Sequence, residues 1–245
     1  AADAAMATPA PDDFPVADWV PWVTEVADEA HTCASEVGGD AWEREISTIG
    51  ATAPFADLWL PPVRAARRRL RETASSHTSR LPTGAVDALE RQLLRELSGI
   101  GELAVLEDFT AQVTGEPDMS PGAGYLRYVR TMLDSGLTGF FETHPVLARQ
   151  GALLVTQWLE QTANLLARAE RDRDAIESAF GREAGAIATL VPALSDRHER
   201  GSRVAFVEFT SGLRLAYKPR DVRLEGALHE ALRWMRAHGL PSAPP

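Results

Sequence analysis

The segment Ser195–Gly201 has the residue types best suited to acid–base chemistry in this chain. Asp196 and His198 lie two positions apart, and a glycine and a β-rich run follow them. A histidine transfers protons near neutral pH, and a neighbouring carboxylate can orient its ring. By spacing alone such a segment is most often only a turn. Its residue types nevertheless make Asp196 and His198 candidates for a catalytic pair.

Lys218 is the second candidate, because it ends a predicted β-hairpin. Two alternating runs, 203–210 and 213–218, flank the turn signal Ser211-Gly212. A lysine on a strand that is followed by a helix is the arrangement with which kinases hold nucleotide phosphates. No G-x-G-x-x-G loop precedes the lysine, so a standard protein kinase is not supported.

Kinases pair this lysine with a glutamate of the next helix. Glu225 and Glu230 both lie in the helix predicted after Lys218. We select Glu230, because it lies well inside that helix, and Glu225 remains the alternative.

The elements that must position these residues are mostly helices. Apolar residues recur with helical spacing up to about residue 180, as in Trp19-Trp22-Val23-Val26. Pro61-Pro62 should interrupt a helix that begins near Phe55, or restart it before Val63, and His144-Pro145 should end an element.

These patterns divide the chain into three parts. Residues 1–15 are rich in Ala, Pro and Asp, and we expect a disordered lead-in. Residues 16–180 form a helical block, and residues 181–245 form a strand-rich segment with one helix. The fold class predicted is mainly α, with a small antiparallel sheet near the C-terminus.

Composition excludes several functional classes. The formal net charge of −10 disfavours a nucleic-acid partner. The single cysteine, Cys33, excludes a disulfide framework and a Cys-rich zinc site, and no partner pattern marks it as a nucleophile. No apolar run approaches the ~20 residues that cross a bilayer, so we expect no membrane span and a cytoplasmic location.

Several motifs resemble those of class II lanthipeptide synthetases. The most specific is Tyr217-Lys218-Pro219-Arg220, at the end of the hairpin. The loop Ser195-Asp196-x-His198, the pair Leu232-x-Trp234 and the upstream stretch 144–149 are also similar. The resemblance extends over residues 55–240 and is strongest at 144–240.

The resemblance implies that the chain is the N-terminal part of a lanthipeptide (lantibiotic) dehydratase domain. Such a domain uses ATP and Mg²⁺ to phosphorylate Ser and Thr of a leader-bearing precursor peptide, and then eliminates the phosphate. A helical extension would precede a lipid-kinase-like N-lobe, of which residues 181–245 would be the start, truncated at its C-terminus. By match, Lys218 would bind phosphate, and Asp196 and His198 would act in phosphate handling, in the elimination step.

One departure from the family pattern concerns Arg203. The family often has Arg directly after the loop glycine, whereas Ser202 intervenes here, which weakens Arg203 as a phosphate contact. The catalytic loop and the Mg²⁺ ligands would lie beyond Pro245, in the missing C-terminal part of the synthetase. We therefore expect the isolated chain to be inactive. The alternative function is a non-catalytic helical module that binds the leader of a precursor peptide.

Overall fold

The computed structural model describes residues 19–113, 121–198 and 201–239. The lead-in predicted for residues 1–15 lies outside this part of the chain. The helices are α1 (Val20–Ala34), α2 (Asp40–Glu45) with a π-helical turn (Ile46–Gly50), α3 (Ala56–Thr73), α4 (Ser75–Thr78), α5 (Thr83–Val113), α6 (Pro121–Asp134), α7 (Thr138–Thr143), α8 (Pro145–Arg171), α9 (Arg173–Phe180) and α10 (Arg223–Ala237). The strands are β1 (Ile187–Val191), β2 (Ala205–Phe209) and β3 (Arg214–Tyr217).

The protein is mainly helical and carries a small three-stranded antiparallel sheet, so this level of the fold prediction is confirmed. The break at His144-Pro145 is also found, because α7 ends at Thr143 and α8 begins with Pro145. None of the helices in the described part combines the length and the apolarity needed to cross a bilayer.

The predicted interruption at Pro61-Pro62 is wrong, because α3 continues through both prolines. Each proline lacks the N–H of an internal helical hydrogen bond, which normally breaks or kinks a helix. Here both rings are buried. The apolar surface that they bury offsets the two missing hydrogen bonds.

α5 lies at the centre of the fold and contacts α3, α8 and β1. Its faces bury Leu93, Leu94 and Leu97 completely. At Gly101 it approaches α3 so closely that a Cβ would lie 2.1 Å from Cζ2 of Trp59. Because only glycine fits at this crossing, the two helices are held at close range.

The sheet has the order β1-β2-β3, and both pairings are antiparallel. The predicted hairpin is formed by β2 and β3, and Gly212 takes a φ of 78° in its turn. Leu190 and Val207 pair across one face and are buried in the same apolar cluster as the helices. One continuous core therefore includes residues from both sides of the boundary predicted at 180/181.

α10 differs from every other long helix because it buries no residue. Leu224 is 80% exposed and Leu228 is 59% exposed, although they belong to its apolar stripe. The helix therefore extends from the end of the sheet without a covering layer in the described residues.

Candidate functional site

The candidate loop runs from the end of β1 to the start of β2 and is closed by hydrogen bonds between its two arms. The amide of Leu194 donates to the carbonyl of Val204 at 2.9 Å, and that of His198 donates to the carbonyl of Ser202 at 3.0 Å. The Ser195 hydroxyl accepts from the Val204 amide at 3.1 Å. These bonds fold Asp196 and His198 into a compact turn beside the sheet.

A single carboxylate of α5 anchors this loop to the helical block. Glu96 accepts from Arg197 at 3.0 Å and from Arg203 at 2.5 Å, so it holds the loop at its middle and near its end. Gln92 donates to the same carboxylate at 3.0 Å. The side chain of Glu96 is only 15% exposed, so these pairs are stronger than ordinary surface ion pairs.

The loop also presses against α8 at Gly201. This glycine has a φ of 75°, in the left-handed region, and a Cβ there would lie 2.7 Å from Oε1 of Gln157. A side chain at this position would meet both backbone strain and a steric clash. The glycine identified in the sequence motif is therefore required by the contact with α8.

Asp196, His198 and Arg203 line one open depression of about 650 Å³ at the protein surface. Asp196 and His198 are both exposed, and no hydrogen bond joins their side chains. The Nε of Arg203 is buried and has no hydrogen-bond partner, although its Nη1 pairs with Glu96. The structure thus brings the predicted pair together with a cation.

Lys218 follows β3 directly, as the hairpin prediction requires, and its side chain is exposed. The preceding Tyr217 turns inward and lies under the guanidinium of Arg168, at 5.9 Å from the ring centre. Lys218 does not line the depression that contains Asp196 and His198. The structure therefore does not place Lys218 in the depression that Asp196 and His198 line.

The predicted pair of Lys218 with Glu230 is not formed, since no ion pair joins them and both are exposed. The alternative, Glu225, is hydrogen-bonded by Arg220 instead. At about 100° per residue, Glu230 lies on the face of α10 opposite Leu224 and Leu228, and Glu225 flanks that stripe. If the apolar stripe of α10 packed against another surface, Glu225 would lie nearer to that surface than Glu230 would.

Composition contains a signal that spacing does not: Lys218 is the only lysine in a chain with 24 arginines. Lysine carries a compact ammonium on a flexible stem, whereas arginine offers a planar fork. Lys218 is therefore the one position in the sequence at which an ammonium is present instead of a guanidinium.

Two other possible sites carry no support. Burial raises the pKa of the Cys33 thiol to about 12, so the thiolate that a nucleophile needs is absent near neutral pH. Within the described ranges, no group of three or more His, Cys, Asp or Glu side chains is placed to hold a metal ion.

Sequence reasoning missed Glu96 and Gln157, which position the loop. Glu96 lies 101 positions before Arg197, so no local motif connects them. Gln157 neighbours Trp158 on α8, a helix that spacing predicts, but its contact with Gly201 depends on how the sheet packs.

Comparison with known families gives a match in the C-terminal part of the chain. Residues 144–244 match a family described as a domain of unknown function, DUF4135. The match covers α8, α9, the sheet and α10, and therefore contains all four predicted site residues. No match to the chain was found among curated proteins.

Proposed function

We propose that this chain is the N-terminal portion of a lanthipeptide dehydratase, an enzyme that phosphorylates Ser and Thr of a precursor peptide and then eliminates the phosphate. The observation that carries the proposal is the coincidence of two findings in residues 144–244. This segment matches the DUF4135 family, and it contains the motifs that resemble the synthetases.

Lys218 is the residue that we assign to nucleotide phosphate. Its ammonium is exposed, has no ion pair in the described residues, and follows the second strand of a hairpin. These features fit a phosphate-binding cation of a kinase-like N-lobe. ATP supplies the phosphoryl group, and the residues that hold Mg²⁺ come from outside the described segments.

His198 and Asp196 are assigned to the elimination of phosphate. Elimination requires a base for the α-proton of the modified residue and a donor for the leaving phosphate. The imidazole of His198 is the side-chain type best suited to the first role, and the guanidinium of Arg203 lines the same depression. Glu96 acts as a positioning residue, because it pairs with Arg197 and Arg203, which precede and follow His198 in the loop.

The test uses the protein with its downstream sequence, co-expressed with a precursor peptide from the same gene neighbourhood. We expect mass spectrometry to detect peptide that has lost water at Ser or Thr, with ATP required in the purified reaction. The proposal is overturned if the full protein makes neither phosphorylated nor dehydrated peptide while it binds that precursor.

The glutamate that assists Lys218 can be identified with a matched pair of variants. Glu225→Gln and Glu230→Gln remove one charge from the same helix without a change in size. The variant that removes the partner of Lys218 should raise the KM for ATP, and the other should not. If both variants keep the wild-type KM, neither glutamate pairs with Lys218.

The alternative, a leader-binding module without chemistry, gives different results for the isolated chain. That function requires the chain to bind a leader peptide, and it requires the full protein to leave Ser and Thr unmodified. Binding together with dehydration would support the dehydratase instead.

A further inference from the structure

A small cavity of about 50 Å³ lies where the candidate loop meets α5, α8 and the end of β3. Each of these four segments contributes to its lining, which includes Glu96, Trp158, Arg203 and Tyr217. Ala193 and Arg203 line both this cavity and the depression that contains Asp196 and His198. These two residues therefore form a wall between the cavity and the depression.

Two polar atoms in the lining lack hydrogen-bond partners. The Nε of Arg203 and the hydroxyl of Tyr217 are both buried, and neither is hydrogen-bonded within the described ranges. Glu96 pairs with the Nη1 of Arg203 and leaves the Nε–H available. A buried polar group without a partner costs about 1–3 kcal/mol, so such groups in folded proteins are nearly always satisfied by protein or by ordered water.

The hydroxyl of Tyr217 can take either role in a hydrogen bond. Burial raises its pKa above the ordinary value, although the positive charge of Arg168, which lies 5.9 Å from the ring centre, acts in the opposite sense. The phenol therefore keeps its proton near neutral pH and can both donate and accept. The Nε–H of Arg203 can only donate, so a group that accepts from it and also bonds to the hydroxyl would satisfy both.

A water molecule has the size and the chemistry that this position requires. Its share of liquid volume is about 30 Å³, and a buried water needs two to four polar partners. Gln92 and Glu96 also line the cavity and add polar groups to those of Arg203 and Tyr217. The cavity is too small for an organic ligand, since such sites have volumes of roughly 300 Å³ or more.

We propose that Tyr217 is a positioning residue, whose hydroxyl holds the candidate loop to the end of β3 through an ordered water bound to the Nε of Arg203. One buried contact then connects the loop that contains His198 with the strand end that Lys218 follows. The ring of Tyr217 packs against the core and positions Lys218, whereas its hydroxyl positions the loop. The catalytic consequence of this contact rests on the proposed function, but the contact itself does not.

NMR detects the water in the protein itself. The Nε–H signal of Arg203, assigned by its loss in Arg203→Lys, should show a nuclear Overhauser effect to water. A rotating-frame experiment separates this effect from hydrogen exchange. The control is the Nε–H of Arg67, which donates to Glu90 at 2.6 Å and should show no such effect.

Tyr217→Phe removes only the hydroxyl and should loosen the loop. We expect hydrogen exchange at the Leu194 and Val204 amides to increase by about fivefold, the effect of one lost hydrogen bond. The matched control is Tyr125→Phe, which removes a hydroxyl that donates to Asp57 at 2.8 Å within the helical block. The control should leave exchange at both loop amides unchanged.

In the full protein, with precursor peptide and ATP, the two functions of Tyr217 should separate. Tyr217→Phe should raise the ratio of phosphorylated to dehydrated peptide by about fivefold, with the KM for ATP unchanged. Tyr217→Leu also removes the ring that Arg168 covers, and should raise the KM for ATP as well. An equal rise of the KM in both variants would contradict a separate function for the hydroxyl.

The proposal is overturned if Arg203 shows no contact with a bound water, if Tyr217→Phe leaves the loop amides unchanged, or if Tyr125→Phe accelerates their exchange equally. The NMR and exchange measurements need no ATP and no modification step. If the full wild-type protein modified no peptide, the dehydratase proposal would fail, and these two measurements would still decide whether Tyr217 positions the loop.

Discussion

α8 and α10 are both amphipathic in sequence, but they occupy opposite environments. α8 buries Leu154, Trp158 and Leu165, whereas α10 buries none of its residues. Apolar spacing predicts that a helix forms and which face is apolar, but not what covers that face. The candidate residues for chemistry lie beside the sheet and α10, and the firmly packed helices support them.

The largest expected difference between these regions comes from one substitution made at two tryptophans. Trp158→Ala removes a side chain that is buried between α8 and α5, and should lower the free energy of unfolding by about 3–5 kcal/mol. Trp234→Ala removes a ring that is 61% exposed, and should change it by less than about 0.5 kcal/mol. Urea denaturation measures both. Equal losses would contradict the contrast between the helices.

The contact between the loop and α8 gives the next largest effect. Gly201→Ala introduces strain and a clash with Gln157, and should lower the free energy of unfolding by about 2–3 kcal/mol. Gly212 has a similar φ of 78° but open space around it, so Gly212→Ala should cost only about 1 kcal/mol of strain. If Gly212→Ala were the more damaging, the loop would not lie against Gln157.

The ion pairs of Glu96 should contribute more to the free energy of unfolding than an exposed ion pair does. Glu96→Ala leaves Arg197 and Arg203 unpaired, and should cost about 1–3 kcal/mol of unfolding free energy. Glu208→Ala removes an exposed pair with Arg214 on the sheet and should cost less than about 1 kcal/mol. Hydrogen exchange should also increase at the Leu194 and Val204 amides in the first variant, and not in the second.

The dependence of stability on pH should differ between an ion pair of the packed helices, at Glu45, and an ion pair beside α10, at Asp221. Burial alone would raise the pKa of Glu45, but hydrogen bonds from Arg64 and Arg67 lower it below its ordinary value. Its stabilisation is therefore complete above the ordinary pKa of 4.5 and is lost as the pH falls through the lowered value. Burial raises the pKa of the nearby Glu90 carboxyl despite Arg67, which acts in the opposite sense.

With Glu45→Gln, the melting temperature should therefore fall less steeply as the pH is lowered below 4.5 than it does for the wild type. Thermal melts at a series of pH values measure this slope. Asp221, beside α10, also has a pKa below its ordinary value because Arg223 hydrogen-bonds to it, but that pair is fully exposed. Asp221→Asn should leave the decrease of the melting temperature below pH 4.5 unchanged. A larger change in this variant than in Glu45→Gln would contradict the account.

Local patterns predicted the elements that depend on local rules. Ser211-Gly212 between alternating runs predicted the hairpin, and His144-Pro145 predicted the break before α8. The run Ile187–Val191 is too short for its apolar pattern alone to distinguish a strand from a helix. It became β1 through pairing with β2.

The site was predicted less completely than the fold. Residue types identified Asp196, His198 and Lys218, but the anchor at Glu96 and the contact at Gln157 depend on packing between distant segments. Apolar spacing within one helix contains no information about which distant side chains the fold brings together.

The most direct test of the proposed function compares Lys218→Ala with His198→Ala in the full protein, with precursor peptide and ATP. Mass spectrometry of the peptide should detect neither phosphorylated nor dehydrated product with Lys218→Ala, because phosphoryl transfer is lost. His198→Ala should accumulate phosphorylated peptide, because elimination alone is impaired. Wild-type dehydration by the Lys218→Ala protein would contradict the assignment of this lysine to the nucleotide phosphates.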